Sequence, residues 1–197
     1  MQVMLPAIER SKKLPVVLSF REVKQLLKAP KLLKHRLVLA LLYGCGLRCF
    51  ELCNLQLKDL DFDRMMLHVR QGKGRKDRYV PLSRMQIRGL KTYLAAENPC
   101  TWCFTGNNTE GRPVPLSTQG VRWIVREARK HSGIQKEVTT HSLRHSYATH
   151  LLEMGLDIMS VKDLLGHADI QTALTYLHVA QLGRQKPFSP LDRLYKE

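Results

Sequence analysis

Hydrophobic positions recur at helical spacing along most of the chain and alternate over two short stretches in its first half. Ser19 with Glu22 forms a capping-box pattern ahead of Val23, Leu26 and Leu27, predicting a helix that ends at Pro30. The largely apolar run 32–43 predicts a central helix, stopped by Gly44-Cys45-Gly46 because glycine accepts left-handed backbone cheaply. Arg48 then opens a short helix through about Leu55. Residues 65–70 alternate, placing Met65, Leu67 and Val69 on one face of a strand. A second strand over 78–82 follows a turn at 72–77, with Pro81 suited to a strand end or edge. Further helices are expected over 83–96, 117–131, 141–154, 158–165 and 171–179. A short third strand is expected at 102–104, ahead of a Gly/Asn/Pro-rich loop at 106–115. No internal repeat or low-complexity tract interrupts this order. The expected class is mainly α with a small antiparallel β-sheet, an α+β fold.

A length of 197 residues and 44% hydrophobic content suit one well-buried domain. Residues 1–15, with Pro6, Pro15, Arg10, Lys12 and Lys13, read as a basic linker. Residues 181–197 read as an extended tail with a last turn near 191–195. The charge narrows the partners. Thirty-two Lys and Arg against 17 Asp and Glu give +15, which suits a partner of repeating negative charge, DNA or RNA first. The longest apolar run, 37–43, is far short of the roughly 20 residues of a spanning helix. The first residues carry no secretory pattern, so a cytoplasmic protein with no membrane role is expected.

Metal readings find little support, with Cys100 and Cys103 the one weak candidate pair. The five cysteines fit a reducing compartment better than a disulfide framework. Cys49 and Cys53 lie one helical turn apart and read as small packing residues. Cys100-Thr101-Trp102-Cys103 has zinc-finger spacing without the second ligand pair. Asp59, Asp61 and Asp63 begin like a calcium loop, but Arg64 and Arg70 stand where glycine and glutamate are needed. His141 and His145 have zinc-peptidase spacing, but Ser142 replaces the glutamate base. No Gly-rich nucleotide loop precedes a Lys-Ser or Lys-Thr pair. No metal and no cofactor are expected.

What remains is a set of phosphate-seeking side chains in four segments. They are Arg48 in Gly46-Leu47-Arg48, Lys73 between Gly72 and Gly74, His141 and Arg144 in His141-Ser142-Leu143-Arg144-His145, and His167 after Leu164-Leu165-Gly166. Tyr176 follows His167 by nine residues. Arg48 sits at a helix start, where anions are already favoured, and Glu51 is placed to hold it by an ion pair along the helix. Alone, that pair would be an ordinary surface contact. His141 and Arg144 share a helix face with His145, which reads as a packed histidine. A lone buried tyrosine would be a core residue.

In this order and spacing the segments resemble the tyrosine recombinase (phage integrase) family, over about 14–179. The resemblance assigns residues 16–180 to that family's catalytic domain. It implies that Arg48, His141, Arg144 and His167 face the scissile phosphate, that Lys73 enters the site from a β-hairpin, and that Tyr176 is the nucleophile. Glu51 then supports Arg48 from behind, and Arg75 and Lys76 contact DNA outside the site. Tyr147, on the helix of Arg144, is the wrong tyrosine to choose. The implied activity is site-specific cleavage and rejoining of double-stranded DNA through a 3′-phosphotyrosyl link, without metal or ATP. A free monomer assembling into a synaptic tetramer on DNA is implied, with the C-terminal tail free to pack on a neighbouring protomer. Residues 1–15 are too few for the family's N-terminal clamp domain. A catalytic fragment is therefore expected, ahead of a short recombinase similar to fimbrial-switch proteins. The alternatives are a type IB topoisomerase and a DNA-binding protein without catalysis. In the DNA-free chain the arginines and histidines should cluster. Tyr176 has freedom to lie displaced and Lys73 to ride a mobile hairpin.

Overall fold

The computed structural model describes residues 15–70, 77–107, 110–166, 176, 177 and 180. Lys73, Arg75, Lys76, His167, most of the helix expected over 171–179 and the C-terminal tail lie outside them.

Among the described residues, helix α1 (Phe20–Lys28) starts on the anticipated box: Glu22 N–H donates to Ser19 Oγ and Ser19 N–H to the Glu22 carboxylate. Helix α2 (Leu33–Gly44) is the hub, burying Leu37, Val38, Leu39, Leu41 and Leu42 and packing against α1 and four later helices. These are α3 (Cys49–Cys53), α4 (Arg84–Glu97), α5 (Thr118–Ser132) and α6 (Thr140–Glu153). Helix α7 (Ile158–Leu165) packs on α6, capped by Asp157 at its start and left-handed Gly166 at its end.

A three-stranded antiparallel sheet runs in the order β1 (Leu60–Asp61), β2 (Met66–Val69), β3 (Arg78–Pro81). Leu67 pairs with Val80 and both face the core. Met65 does not join β2 as expected. It takes a left-handed conformation (φ 55°) in the turn from β1, and its carbonyl accepts from Leu82 N–H at 2.7 Å. The aspartate run is turn chemistry: buried Asp59 accepts from Gln56 N–H and pairs with Arg70, while Asp61 accepts from Arg64 N–H. Two further expectations change. Residues 102–104 form no strand beyond a single bridge from Trp102 to Gln56. Part of the expected loop instead pairs as a two-stranded hairpin, β4 (Thr105–Asn107) with β5 (Pro113–Pro115). Cys103 is buried in the core and Cys100 is exposed.

Helix α6 is unusual in its composition. It is buried on nearly every side yet carries Thr140, Ser142, Arg144, Ser146, Thr149 and His150 among its buried residues. A buried polar side chain is costly unless it is bonded. Ser146 Oγ donates to Ser142 O at 2.7 Å and accepts from Leu18 N–H at 2.9 Å. His150 Nδ1 lies 2.8 Å from Tyr43 Oη, and its ring stacks on Phe20 at 3.9 Å. These bonds fix α6 against the first residues of the domain, and Arg144 rides on that rigid helix.

Candidate active site

Three guanidinium groups meet around one carboxylate where α3, β3, α6 and α7 converge. Glu51, on α3, has a side chain only 4% exposed. Its Oε1 accepts from Arg48 Nη1 at 2.8 Å and Arg78 Nη1 at 2.9 Å. Its Oε2 accepts from the Arg48 backbone N–H and Arg78 Nη2, each at 2.8 Å. Four donors fill the roughly four lone-pair sites of a carboxylate. Arg144 Nη1 stands 4.0 Å from the same Oε2. Burial pushes the Glu51 carboxyl up, but the hydrogen bonds and charge of Arg78, then the backbone and side-chain hydrogen bonds of Arg48, outweigh it and hold the group at about 2.

The end of α7 supplies the second set of partners. Leu164 O accepts from Arg78 Nε at 2.8 Å, Leu165 O from Arg144 Nη2, and Gly166 O from Arg48 Nη2 at 3.4 Å. The last carbonyls of a helix have no partner within it and sit at the negative end of its dipole, so cations are favoured there. Three consecutive carbonyls thus receive three arginines. Arg144 Nη1 also donates to Gly46 O. Gly46 can present that carbonyl because it holds φ +58°, and a Cβ there would fall 2.5 Å from the Tyr147 ring.

The charges do not balance. Among the described residues, Arg48, Arg78 and Arg144 face one carboxylate, an excess of two positive charges in a mostly buried site. Burial, then the charges of Arg48 and Arg78, pull the Arg144 guanidinium down to about 9 despite the attraction of Glu51. It stays protonated at neutral pH, and an anion entering the site would relieve the repulsion. Arg48, with 22% of its side chain exposed, is the open one; Arg144 and Arg78 are buried.

Tyr176 packs inward. It is 3% exposed, at a helical position, in a small core with Tyr147, Ala148, Leu152, Val161 and Leu165. Burial pushes its phenol up, and the charges of Arg144 and Arg48 oppose that rise. Its ring lies 5.3 Å from the ring of His145. His145 is indeed a packed histidine. Its Nδ1 is buried with no hydrogen-bond partner among the described residues, and burial, then His141 and Arg144, hold it down to about 4. His141, on the first turn of α6, is exposed, its ring 6.4 Å from that of His145.

The structure therefore brings together Arg48, Glu51, Arg144 and Tyr176, with His141 at the rim. Arg78 is a member that the sequence reading missed. Its signal was the alternation in Arg78-Tyr79-Val80-Pro81, which turns Arg78 to the same side as buried Val80, a position an arginine takes only with partners.

The sequence profile described as the phage integrase family matches residues 16–182. The chain belongs to that family. It is 41% identical over 176 residues to the tyrosine recombinase XerA of Thermococcus kodakarensis, a match spanning 88% of this chain and 61% of that protein. It is also 41% identical over 192 residues to a tyrosine recombinase of Thermosipho africanus, spanning 96% and 64%. The chain thus spans under two thirds of the length of these relatives. Among solved structures, a crystal structure of XerA recombinase superposes with a TM-score of 0.77 at 32% identity, covering 93% of this chain and 68% of that one. The XerH site-specific recombinase bound to a palindromic difH substrate, in a post-cleavage complex, gives 0.73 at 25% identity, covering 92% and 53%. Both likenesses place this integrase-family chain in the tyrosine recombinase catalytic-domain fold.

Proposed function

We propose that this chain is the catalytic part of a site-specific recombinase that cleaves and rejoins double-stranded DNA through a 3′-phosphotyrosyl intermediate. The observation that carries the reading is the excess of two positive charges beside a buried tyrosine. A phosphodiester under attack carries about two negative charges at its non-bridging oxygens, and the arginines are fixed in advance to receive them. The +15 net charge supports duplex DNA as the partner, and the XerH neighbour is itself bound to its difH substrate.

In this mechanism the Tyr176 oxygen attacks phosphorus and the bond to the 5′ oxygen breaks. Arg48 and Arg144 hold the non-bridging oxygens. The phenolic proton leaves as the bond forms, with His141 at the rim assisting its transfer. By resemblance, Lys73 protonates the leaving 5′ oxygen, His167 hydrogen-bonds the phosphate, and Arg75 and Lys76 contact the DNA backbone. A 5′ hydroxyl from a second strand then attacks the tyrosyl ester and takes over the phosphate. The ester conserves the bond energy, so the cycle needs no external energy source. Assembly of free monomers into a tetramer on DNA, a cytoplasmic setting, and action as one part of a longer protein complete the reading.

The test is a nicked suicide duplex that loses a short 5′ hydroxyl fragment after cleavage. Wild-type chain should trap a covalent adduct, Tyr176→Phe none, and a supplied 5′ hydroxyl strand should release the adduct as joined DNA. Relaxation of supercoiled plasmid without exchange between duplexes would favour a topoisomerase. DNA binding without an adduct would leave a binding protein.

A further inference from the structure

We infer that Arg78 is a positioning residue for strand cleavage, acting through Glu51 and the end of α7 to fix the Arg48 guanidinium. The inference rests on the recombinase reading and adds to it a residue that touches no DNA. Arg78 has only 8% of its side chain exposed, and all three guanidinium nitrogens are engaged: Nε to Leu164 O, Nη1 and Nη2 to the two oxygens of Glu51. Three of its five N–H groups are thus bonded within the protein, and the guanidinium is turned to Glu51 and the end of α7.

Among the described residues, both partners of the Arg48 side chain are held by Arg78. One is the Glu51 carboxylate, which two parallel bonds from Arg78 lock against rotation. The other is Gly166 O, and Gly166 lies directly on the Arg78 side chain. A Cβ at that glycine would come within 3.1 Å of Arg78 Cδ. Without Arg78 the carboxylate keeps its burial but loses two of four donors, and the end of α7 loses its tie to β3. Arg48 would then be held by a carboxylate free to turn. A plain structural ion pair would stabilise the fold without setting the direction of a neighbouring arginine, and the two roles separate by experiment.

The groups facing Glu51 are Arg48 from its own helix, Arg78 from β3 and Arg144 from α6. Losing Arg78 removes the strongest of the influences that oppose burial, so the carboxyl rises from its depressed value. Protonated Glu51 cannot hold Arg48, and cleavage should then fall on the acid side.

The experiment compares wild type, Arg78→Lys, Arg78→Ala and the double variant Arg78→Ala with Glu51→Gln. Each is followed for adduct formation on a saturating nicked suicide duplex from pH 5 to 8, with melting temperature and DNA affinity measured alongside. Arg78→Lys keeps the charge but not the paired bonds. It should melt near wild type, bind DNA within about threefold, and form adduct about 10²-fold more slowly, as expected for a misplaced reacting group. Arg78→Ala should be slower still and lose more of its rate toward pH 5 than wild type or the double variant does. Wild-type rates in folded Arg78 variants would overturn the inference. So would a loss that only follows unfolding or weaker DNA binding, or one with the same pH dependence as wild type. A wild-type chain that forms no adduct would instead sink the recombinase reading underneath.

Discussion

Glu51 and Arg78 lie 27 residues apart in sequence and meet in two parallel hydrogen bonds of 2.9 and 2.8 Å, with both side chains buried. That pair decides what Arg48 can do. An arginine at the start of a five-residue helix would otherwise be a flexible surface cation. Here it is the exposed member of a set whose other members are locked. The site is prepared for an anion before any anion arrives, which is the arrangement that favours a transition state richer in charge than the substrate.

On the proposed mechanism the basic residues divide into two sets. Arg48→Ala and Arg144→Ala should each lower adduct formation by about 10²-fold or more while retaining most DNA affinity. Arg75→Ala and Lys76→Ala should weaken binding and flatten its salt dependence by about 0.9 in slope for each phosphate left unneutralised. Filter binding from low to moderate salt beside single-turnover cleavage checks both. One shared phenotype for the two pairs would refute the division.

Gly46→Ala should damage stability and catalysis together. The left-handed backbone costs a side chain about 1–2 kcal/mol. A Cβ 2.5 Å from the Tyr147 ring adds overpacking of about 1–3 kcal/mol. In a domain of this size the melting temperature should fall on the order of 10 °C. The Gly46 carbonyl holds Arg144, so cleavage at a permissive temperature should fall more than DNA binding. Unchanged melting by calorimetry would contradict this account of the loop.

His145 gives the fold an acid sensitivity. Its folded-state value, about 4, lies below the ordinary 6.5, so burial favours the neutral ring. Below pH 6.5 the unfolded chain takes up a proton that the folded chain refuses. Stability therefore falls from pH 6.5 toward about 4 and levels off beneath it. His145→Leu should lose less stability over that window, and at pH 8 it should equal or exceed wild type, because an unpartnered buried nitrogen is removed. Urea unfolding at several pH values measures it; parallel curves for the two proteins would show that His145 does not titrate in the window.

Much of the fold was legible because it is written locally. The Ser19–Glu22 box, the glycine stop after α2 and the Leu67/Val69 alternation each act within a few residues. The β4–β5 hairpin was not, since its three-residue strands, Thr-Gly-Asn and Pro-Val-Pro, are too short and too rich in Gly, Asn and Pro to read as strands and pair only in three dimensions. In the site, Glu51 could be tied to Arg48 by helical spacing. Arg78 reaches it across the fold, and nothing near Arg78 in sequence announces an acidic partner. The carbonyls of residues 164–166 were equally hidden, because a backbone acceptor has no sequence signature. Tyr176 was singled out by its motif, but its inward packing depends on Val161 and Leu165 of α7 and on α6.

The most direct measurement locates the covalent bond. Wild-type chain trapped on a suicide duplex, digested with protease and nuclease, should yield one modified peptide on mass spectrometry, with the 3′-phosphonucleoside on Tyr176. Attachment at Tyr147 or at any residue other than Tyr176, or DNA that is cleaved with no peptide attached, would contradict the account.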